Sequence, residues 1–246
     1  AGLLAGCGSS DKTEDTTKTE ETKTEETSDQ EKTATDSSSD SSEVASEEEG
    51  KEAGFSDGSE TEDSDSENES TGVLLDTSEE LTGTHHAEIE VKDYGTIEVE
   101  LDADIAPITV TNFVKLAQEG FYDGLTFHRI MDGFMIQGGD PNGNGTGGSD
   151  ENIKGEFSSN GVENNISHTR GTISMARAND PDSGSSQFFI VQSDSTFLDG
   201  DYAGFGHVTS GMDIVDQICK DSKPTDNNGT IPADEQPVIE TVKITD

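Results

Sequence analysis

The chain has 246 residues, with 54 acidic against 14 basic side chains and a formal net charge of −40. The excess runs through both halves, with 26 acids and 5 lysines up to residue 84 and 28 acids and 9 bases beyond it. Such a surface repels phosphate backbones and excludes nucleic acid as a partner, and no run of about 18 apolar residues is present to span a membrane.

The chain opens Ala1-Gly2-Leu3-Leu4-Ala5-Gly6-Cys7, followed by Gly8-Ser9-Ser10. Leu4–Cys7 resembles the end of a bacterial lipoprotein signal peptide, as if the sequence began partway through one. The resemblance implies a diacylglycerol thioether on Cys7, cleavage after Gly6, and an extracytoplasmic protein held at the bacterial cell membrane by lipid alone. Two or more acyl chains suffice for stable anchoring. Residues 1–7 are therefore read as the signal remnant.

Residues 8–84 are rich in Thr, Ser, Glu and Asp, and Lys18-Thr19-Glu20-Glu21-Thr22 recurs at Lys23–Thr27. With so few apolar groups the segment has little to offset the entropy of ordering, so it reads as a disordered acidic tether. As a coil it spans on the order of 45–55 Å, and more under self-repulsion. The acidic tract Asp57–Glu69 lacks a glycine where a calcium loop needs one, so it reads as solvated tether. Val73-Leu74-Leu75 is an apolar island in it.

A folded domain is read over residues 85–246. Ala87, Ile89 and Val91, then Ile97, Val99 and Leu101, alternate around Asp93-Tyr94-Gly95 and predict a β-hairpin. Pro107 opens a helical pattern of Ile108, Val110, Phe113, Val114, Leu116 and Ala117, which Gly120 ends. Alternation along Leu125, Phe127 and Arg129 predicts a strand. A second, Phe134–Gln137, would carry Met135 on one face and Phe134 and Ile136 on the other. Gly143-x-Gly145-x-x-Gly148 matches a dinucleotide fingerprint in spacing only, since no helix-forming segment follows. Further strands are expected at Gly171–Ala176, Gln187–Val191, Ala203–Thr209 and Val238–Ile244, with a helix over Met212–Cys219. Cys219 reads as a small buried hydrophobe, and its pairing with the distant Cys7 is not indicated. His128 and His168 read as structural. His85, His86 and His207 show no metal-ligand spacing, and Ser174, Ser185 and Ser186 no triad.

Phe127–Asp140, Arg170–Asn179, Ser185–Val191, Phe197-Leu198-Asp199-Gly200 and Phe205-Gly206 together resemble the cyclophilin-type peptidyl-prolyl isomerases, in consistent order from about His86 onward. The resemblance implies a mainly β fold: a closed eight-stranded antiparallel barrel capped by two helices. It implies a rotamase with no cofactor or metal, acting as a likewise expected monomer on Xaa-Pro segments of unfolded or flexible secreted polypeptides. Arg129 matches the family's catalytic arginine, and Gln137 the glutamine that positions it. Phe134, Met135, Phe189 and Leu198 match the walls of the proline pocket. Ala176, Arg177 and Gln187 match positions along the peptide groove, with Gly145 near another. Three positions depart from the family's usual residues. Arg177 stands where many members have Asn, Tyr202 where His is common, and Phe197 where the best-known members have Trp. The lost indole N–H predicts weak cyclosporin binding with catalysis kept. A proline-peptide docking or adhesion module with little turnover is the alternative function.

Overall fold

The computed structural model describes residues 72–246. Cys7, the signal remnant and the tether up to residue 71 lie outside the described residues.

Eight strands and two helices follow in order: β1 (Thr84–Val91), β2 (Gly95–Asp102), α1 (Pro107–Gln118), β3 (Phe127–Met131), β4 (Met135–Gly138), β5 (Thr172–Met175), β6 (Phe188–Val191), β7 (Ala203–Ser210), α2 (Met212–Asp221) and β8 (Ile239–Ile244). The strands form one antiparallel sheet in the order β3-β4-β6-β5-β7-β2-β1-β8. This mainly β architecture is the expected one, with a difference at its closure. The edges β3 and β8 do not pair as a ladder. Their lead-in residues meet at one bridge, Thr126 to Val238, flanked by Phe127 N–H to Pro237 O (2.9 Å) and Ile239 N–H to Leu125 O (2.7 Å). Pro237 has no N–H to extend the ladder, so the sheet curls round and is joined by a seam.

The apolar alternation does what it predicts. Ala87, Ile89, Val91, Ile97, Val99 and Leu101 are all buried, and β1 and β2 pair with Ile89 opposite Ile97. Inside, Phe113 of α1 meets Phe188 of β6 edge-on at 5.5 Å between centroids, and Tyr122 meets the same ring at 5.6 Å. Helix α1 has Ala106 at its N-cap, with no cap of its own. Its orphan N–H groups are met by a carboxylate from 47 residues away. Glu156, buried, accepts from Ile108 N (3.0 Å), Thr109 N (2.8 Å) and Thr109 Oγ1 (2.6 Å). An anion at the positive end of the helix dipole is favourably placed.

Ordered contacts begin earlier than the boundary at residue 85 that composition suggested. Val73 N–H donates to Ile244 O at 2.7 Å, Gln118 Nε2 to Leu75 O at 3.1 Å, and Leu81 N–H to Thr111 Oγ1 at 2.8 Å. Leu75 and Leu81 pack on the core, which explains why residues 72–84 lie along the domain despite their acidic context. Leu74 remains exposed.

A second, smaller apolar cluster sits apart from the main core: Met135, Phe189 and Val191, with Met131, Phe134, Ala176, Leu198 and Tyr202 packed on it. It occupies the opposite face of β4 and β6 from Ile136, Phe188 and Ile190, which belong to the main core. Strand alternation thus builds two apolar faces from two adjacent strands.

Candidate active site

The second cluster floors a cavity of about 450 Å³ lined by Arg129, Phe134, Met135, Gln137, Gly145, Ala176, Arg177, Phe189, Leu198 and Tyr202, with His128, Asn144, Asn228 and Thr230. Gln187 lines an adjoining cavity of about 330 Å³ that shares Gln137, Gly145, Ala176 and Arg177 with the first. Phe197 lines neither. It lies 72% exposed beside the first cavity, its ring 5.6 Å from that of Phe134. Ten of the residues singled out from sequence therefore share one cavity, one lines its extension, and one stands beside it.

Sheet register brings the key side chains into a row. Arg129 of β3 lies opposite Gln137 of β4, and Gln137 opposite Phe189 of β6. Two details differ from simple alternation. Phe127 and Arg129 do not share a face: Phe127 is in the main core and Arg129 in the cavity. The register shifts between them, two steps along β3 answering one along β4. This is a β-bulge at His128, a device that re-aims a side chain. Phe134 joins Met135 in the cavity rather than Ile136 in the core, because it precedes β4 in the Asp132-Gly133 turn, where period-two alternation has not begun.

Arg129 is fixed at two nitrogens. Its Nε–H donates to Asn228 O (2.7 Å) and its Nη1 to Gln137 Oε1 (3.1 Å), while Nη2 faces Met131 Sδ at 3.4 Å. Gln137 Nε2 donates onward to Gln187 Oε1 (3.0 Å), and Gln187 Nε2 to Gly147 O (2.8 Å). Amide orientation is thereby set along a line of side chains. Burial pulls the arginine pKa below its usual value, with Tyr202 and Asp226 pulling the other way; a guanidinium stays charged throughout the working range of pH. The guanidinium N–H groups left without a partner adjoin a half-open cavity whose floor is apolar and whose rim carries polar side chains.

Arg177 lies over two rings, 5.1 Å from the centroid of Phe157 and 4.8 Å from that of Tyr202. Its Nε–H donates to Asp201 O at 2.9 Å and its Nη1 to Ala178 O at 2.9 Å. Sequence reasoning missed several lining residues. Asn228 and Thr230 come from a loop about a hundred residues beyond β3, with no motif to mark them. His128 is buried with neither ring nitrogen hydrogen-bonded, and desolvation lowers its pKa against the pull of Asp140. Asp140 turns its carboxylate inward to accept from Asn142 N (2.8 Å), Asn144 N (3.0 Å) and Gly145 N (2.5 Å), holding the glycine-rich loop in place beside the cavity. His86 and His207 flank Glu100 from neighbouring strands at 3.7 and 3.8 Å. Among the described residues, no three His, Cys, Asp or Glu groups are arranged to hold a metal ion.

The site is thus a half-open pocket with an apolar floor and two anchored guanidinium groups, those of Arg129 and Arg177. Comparison with known proteins gives its class. The cyclophilin type peptidyl-prolyl cis-trans isomerase/CLD family matches residues 86–246. A peptidyl-prolyl cis-trans isomerase of Helicobacter pylori is 47% identical over 142 residues, covering 57% of this chain and 83% of its own. Peptidyl-prolyl cis-trans isomerase B of Bacillus subtilis is 50% identical over 125 residues, 51% of this chain and 84% of its own. A crystal structure of a cyclophilin type isomerase of Cryptosporidium parvum superposes with a TM-score of 0.59 at 28% identity, covering 67% of this chain and 99% of that one. The same protein in the presence of the dipeptide Ala-Pro gives 0.58 at 29% identity, covering 65% and 99%. The chain belongs to the cyclophilin-type peptidyl-prolyl cis-trans isomerases.

Proposed function

We propose that the enzyme accelerates rotation about Xaa-Pro bonds by hydrogen bonding from Arg129 to the prolyl nitrogen while the proline ring rests against Phe134, Met135, Phe189 and Leu198. The observation that carries this reading is the row Arg129–Gln137–Phe189 facing one cavity. Amide resonance sets the uncatalysed barrier at about 18–20 kcal/mol. As the bond twists, the nitrogen loses its conjugation, becomes pyramidal and accepts a hydrogen bond that the planar amide cannot. A charge-assisted bond of this kind contributes about 1.5–3 kcal/mol. The rest comes from a site shaped for the twisted state and screened from water. Gln137, acting on Nη1, holds the guanidinium in the plane from which it donates.

The supporting relative is a cyclophilin type isomerase crystallised in the presence of Ala-Pro, which fits a proline-bearing peptide as the occupant here. The substrates we propose are unfolded or flexible segments of secreted or surface proteins, whose slow Xaa-Pro isomerisation limits folding. The enzyme would meet them from the outer face of a bacterial membrane, held there by lipid on Cys7. Mass spectrometry of the N-terminal peptide checks the anchor: an unmodified Cys7 thiol in protein taken from its native membrane would remove it.

Two-dimensional exchange NMR on an Ala-Pro-containing peptide, with the full chain and with Arg129→Ala, tests the mechanism. Fast cis–trans exchange in the parent, lost in the variant while peptide binding persists, is the expected result. Undiminished exchange in Arg129→Ala would overturn the arginine's role. Binding without exchange in the parent would make the protein a docking module.

A further inference from the structure

We propose that Asp226 is a positioning residue for catalysis: it templates the loop 225–231, whose Asn228 carbonyl fixes the rotation of the Arg129 guanidinium. The inference rests on the reading of Arg129 as the catalytic donor.

Asp226 is the side chain at the centre of its loop. Its Oδ1 accepts from Asn228 N (2.9 Å) and Thr230 N (3.0 Å), and its Oδ2 from Thr230 Oγ1 (2.8 Å). Its own carbonyl accepts from Gly229 N at 3.3 Å, and Thr225 N–H closes the loop onto Thr230 O at 2.8 Å. These donors, those of Thr230 foremost, hold the Asp226 carboxyl below the usual carboxylate range. The loop then docks on the edge of β3 on either side of Arg129. Ile130 N–H donates to Gly229 O (2.8 Å) and Ile231 N–H to His128 O (3.0 Å), with Arg129 itself bridged to Thr230. Gly229, at φ 86°, lies so close that a Cβ there would fall 2.5 Å from Met131 Cγ and 2.7 Å from Ile130 O. Backbone contacts thus set the loop's height above β3, and the Asp226 carboxylate sets the turn that aims Asn228 O at Nε.

Two acceptors on different guanidinium nitrogens are what a planar donor needs. Gln137 on Nη1 alone leaves the group free to swing about that bond. Asn228 O on Nε removes the swing; Nη2 lies 3.4 Å from Met131 Sδ, and the N–H groups without a partner are left for the cavity. Asp226 lies on the exposed surface of the loop and takes no part in the core, so its replacement disturbs aim rather than folding.

The test measures kcat and KM by exchange NMR on the full chain, together with the Arg129 Nε–H resonance and the melting temperature, for Asp226→Ala, Asp226→Asn and Arg129→Ala. Misplacement of a catalytic group predicts a roughly tenfold fall in kcat for Asp226→Ala, with KM held within about twofold because only a transition-state contact is lost. The Nε–H resonance should shift or broaden while melting barely moves. Asp226→Asn, whose amide oxygen accepts the same N–H groups, should restore most of kcat. Unchanged kcat in Asp226→Ala, or a loss without any change at Nε–H, overturns the inference. So does an Asn variant no better than Ala. If Arg129→Ala itself turns over like the parent, the reading of Arg129 fails instead, whatever Asp226 does.

Discussion

The imidazole of His168 lies almost parallel to the ring of Phe189, with centroids 5.9 Å apart and planes 19° from each other. His168 is fully buried. Its Nδ1 lies 2.8 Å from Asp199 Oδ1 and its Nε2 2.9 Å from Ser174 Oγ. A carboxylate only accepts, so Nδ1 carries the proton and Nε2 accepts from the serine hydroxyl. Asp199 also accepts from His168 N (2.7 Å) and Ser167 Oγ (2.6 Å), joining the segment that carries Phe197, Leu198 and Tyr202 to the segment behind Phe189. The pocket floor is therefore backed by a neutral histidine with both nitrogens satisfied.

That arrangement sets an acid sensitivity. Burial lowers the His168 pKa from 6.5, outweighing Asp199, and burial likewise lowers that of His128. The unfolded chain takes up protons near 6.5 that the folded chain refuses, so stability from these groups is fully present above that pH. It is lost as pH falls through the lowered folded values. Asp199, Asp140 and Asp216 have carboxyl pKa values below 3.8, and their contribution is lost only below that value. Urea unfolding should show a falling midpoint from about pH 6.5 downward, well before the carboxylates titrate. His168→Gln, less stable at neutral pH, should show a shallower fall. An unchanged slope in that variant would remove His168 from the account.

Glu156 is the remote cap of α1, and its loss leaves Ile108 N, Thr109 N and Thr109 Oγ1 without their acceptor. Glu156→Ala should lower unfolding free energy by about 2–3 kcal/mol, combining a lost cap with buried donors left unpaired. Glu156→Gln should cost less, since its amide oxygen still accepts. Activity per folded molecule should stay at the parent level in both, because α1 supplies none of the lining residues.

Cys219 is buried on α2, and desolvation pushes its thiol up to about 12, with Asp132 and Asp216 adding to the rise. Only the thiolate reacts. In the native protein Cys219 should resist iodoacetamide at neutral pH, and in denaturant it should alkylate at the rate of a free thiol. Native labelling at that rate would mean that α2 opens from the sheet.

How much of this was legible follows from the range of each signal. The β1–β2 hairpin, α1 and the identity of Arg129 and Gln137 are local: alternation, a proline–glycine bracket and consecutive motif residues announce them. The His128 bulge was not, since one extra residue in a strand of five leaves no composition mark, yet it separates Phe127 from Arg129. Nor were Asn228, whose carbonyl meets Arg129 across 99 positions, and Glu156, whose partners lie 47 and 48 positions away. The seam at Pro237 needed the strand order. Long-range polar contacts carry no periodicity, and only the fold brings them together.

Phe197 offers a last prediction about ligand choice. Its ring is 72% exposed and tilted 35° against Phe134 at 5.6 Å, so it presents an apolar face at the groove without a donor. A tryptophan there would offer the same face with an N–H added. Cyclosporin is expected to bind the parent weakly, and Phe197→Trp to bind it about tenfold more tightly, the equivalent of one net hydrogen bond of about 1.4 kcal/mol. Turnover of a short Ala-Pro peptide should change by less than about twofold, since Arg129, Gln137 and the pocket floor are untouched. Calorimetric titration of both proteins with cyclosporin decides it. Equal affinities would mean that the groove's shape, rather than the missing donor, limits that ligand.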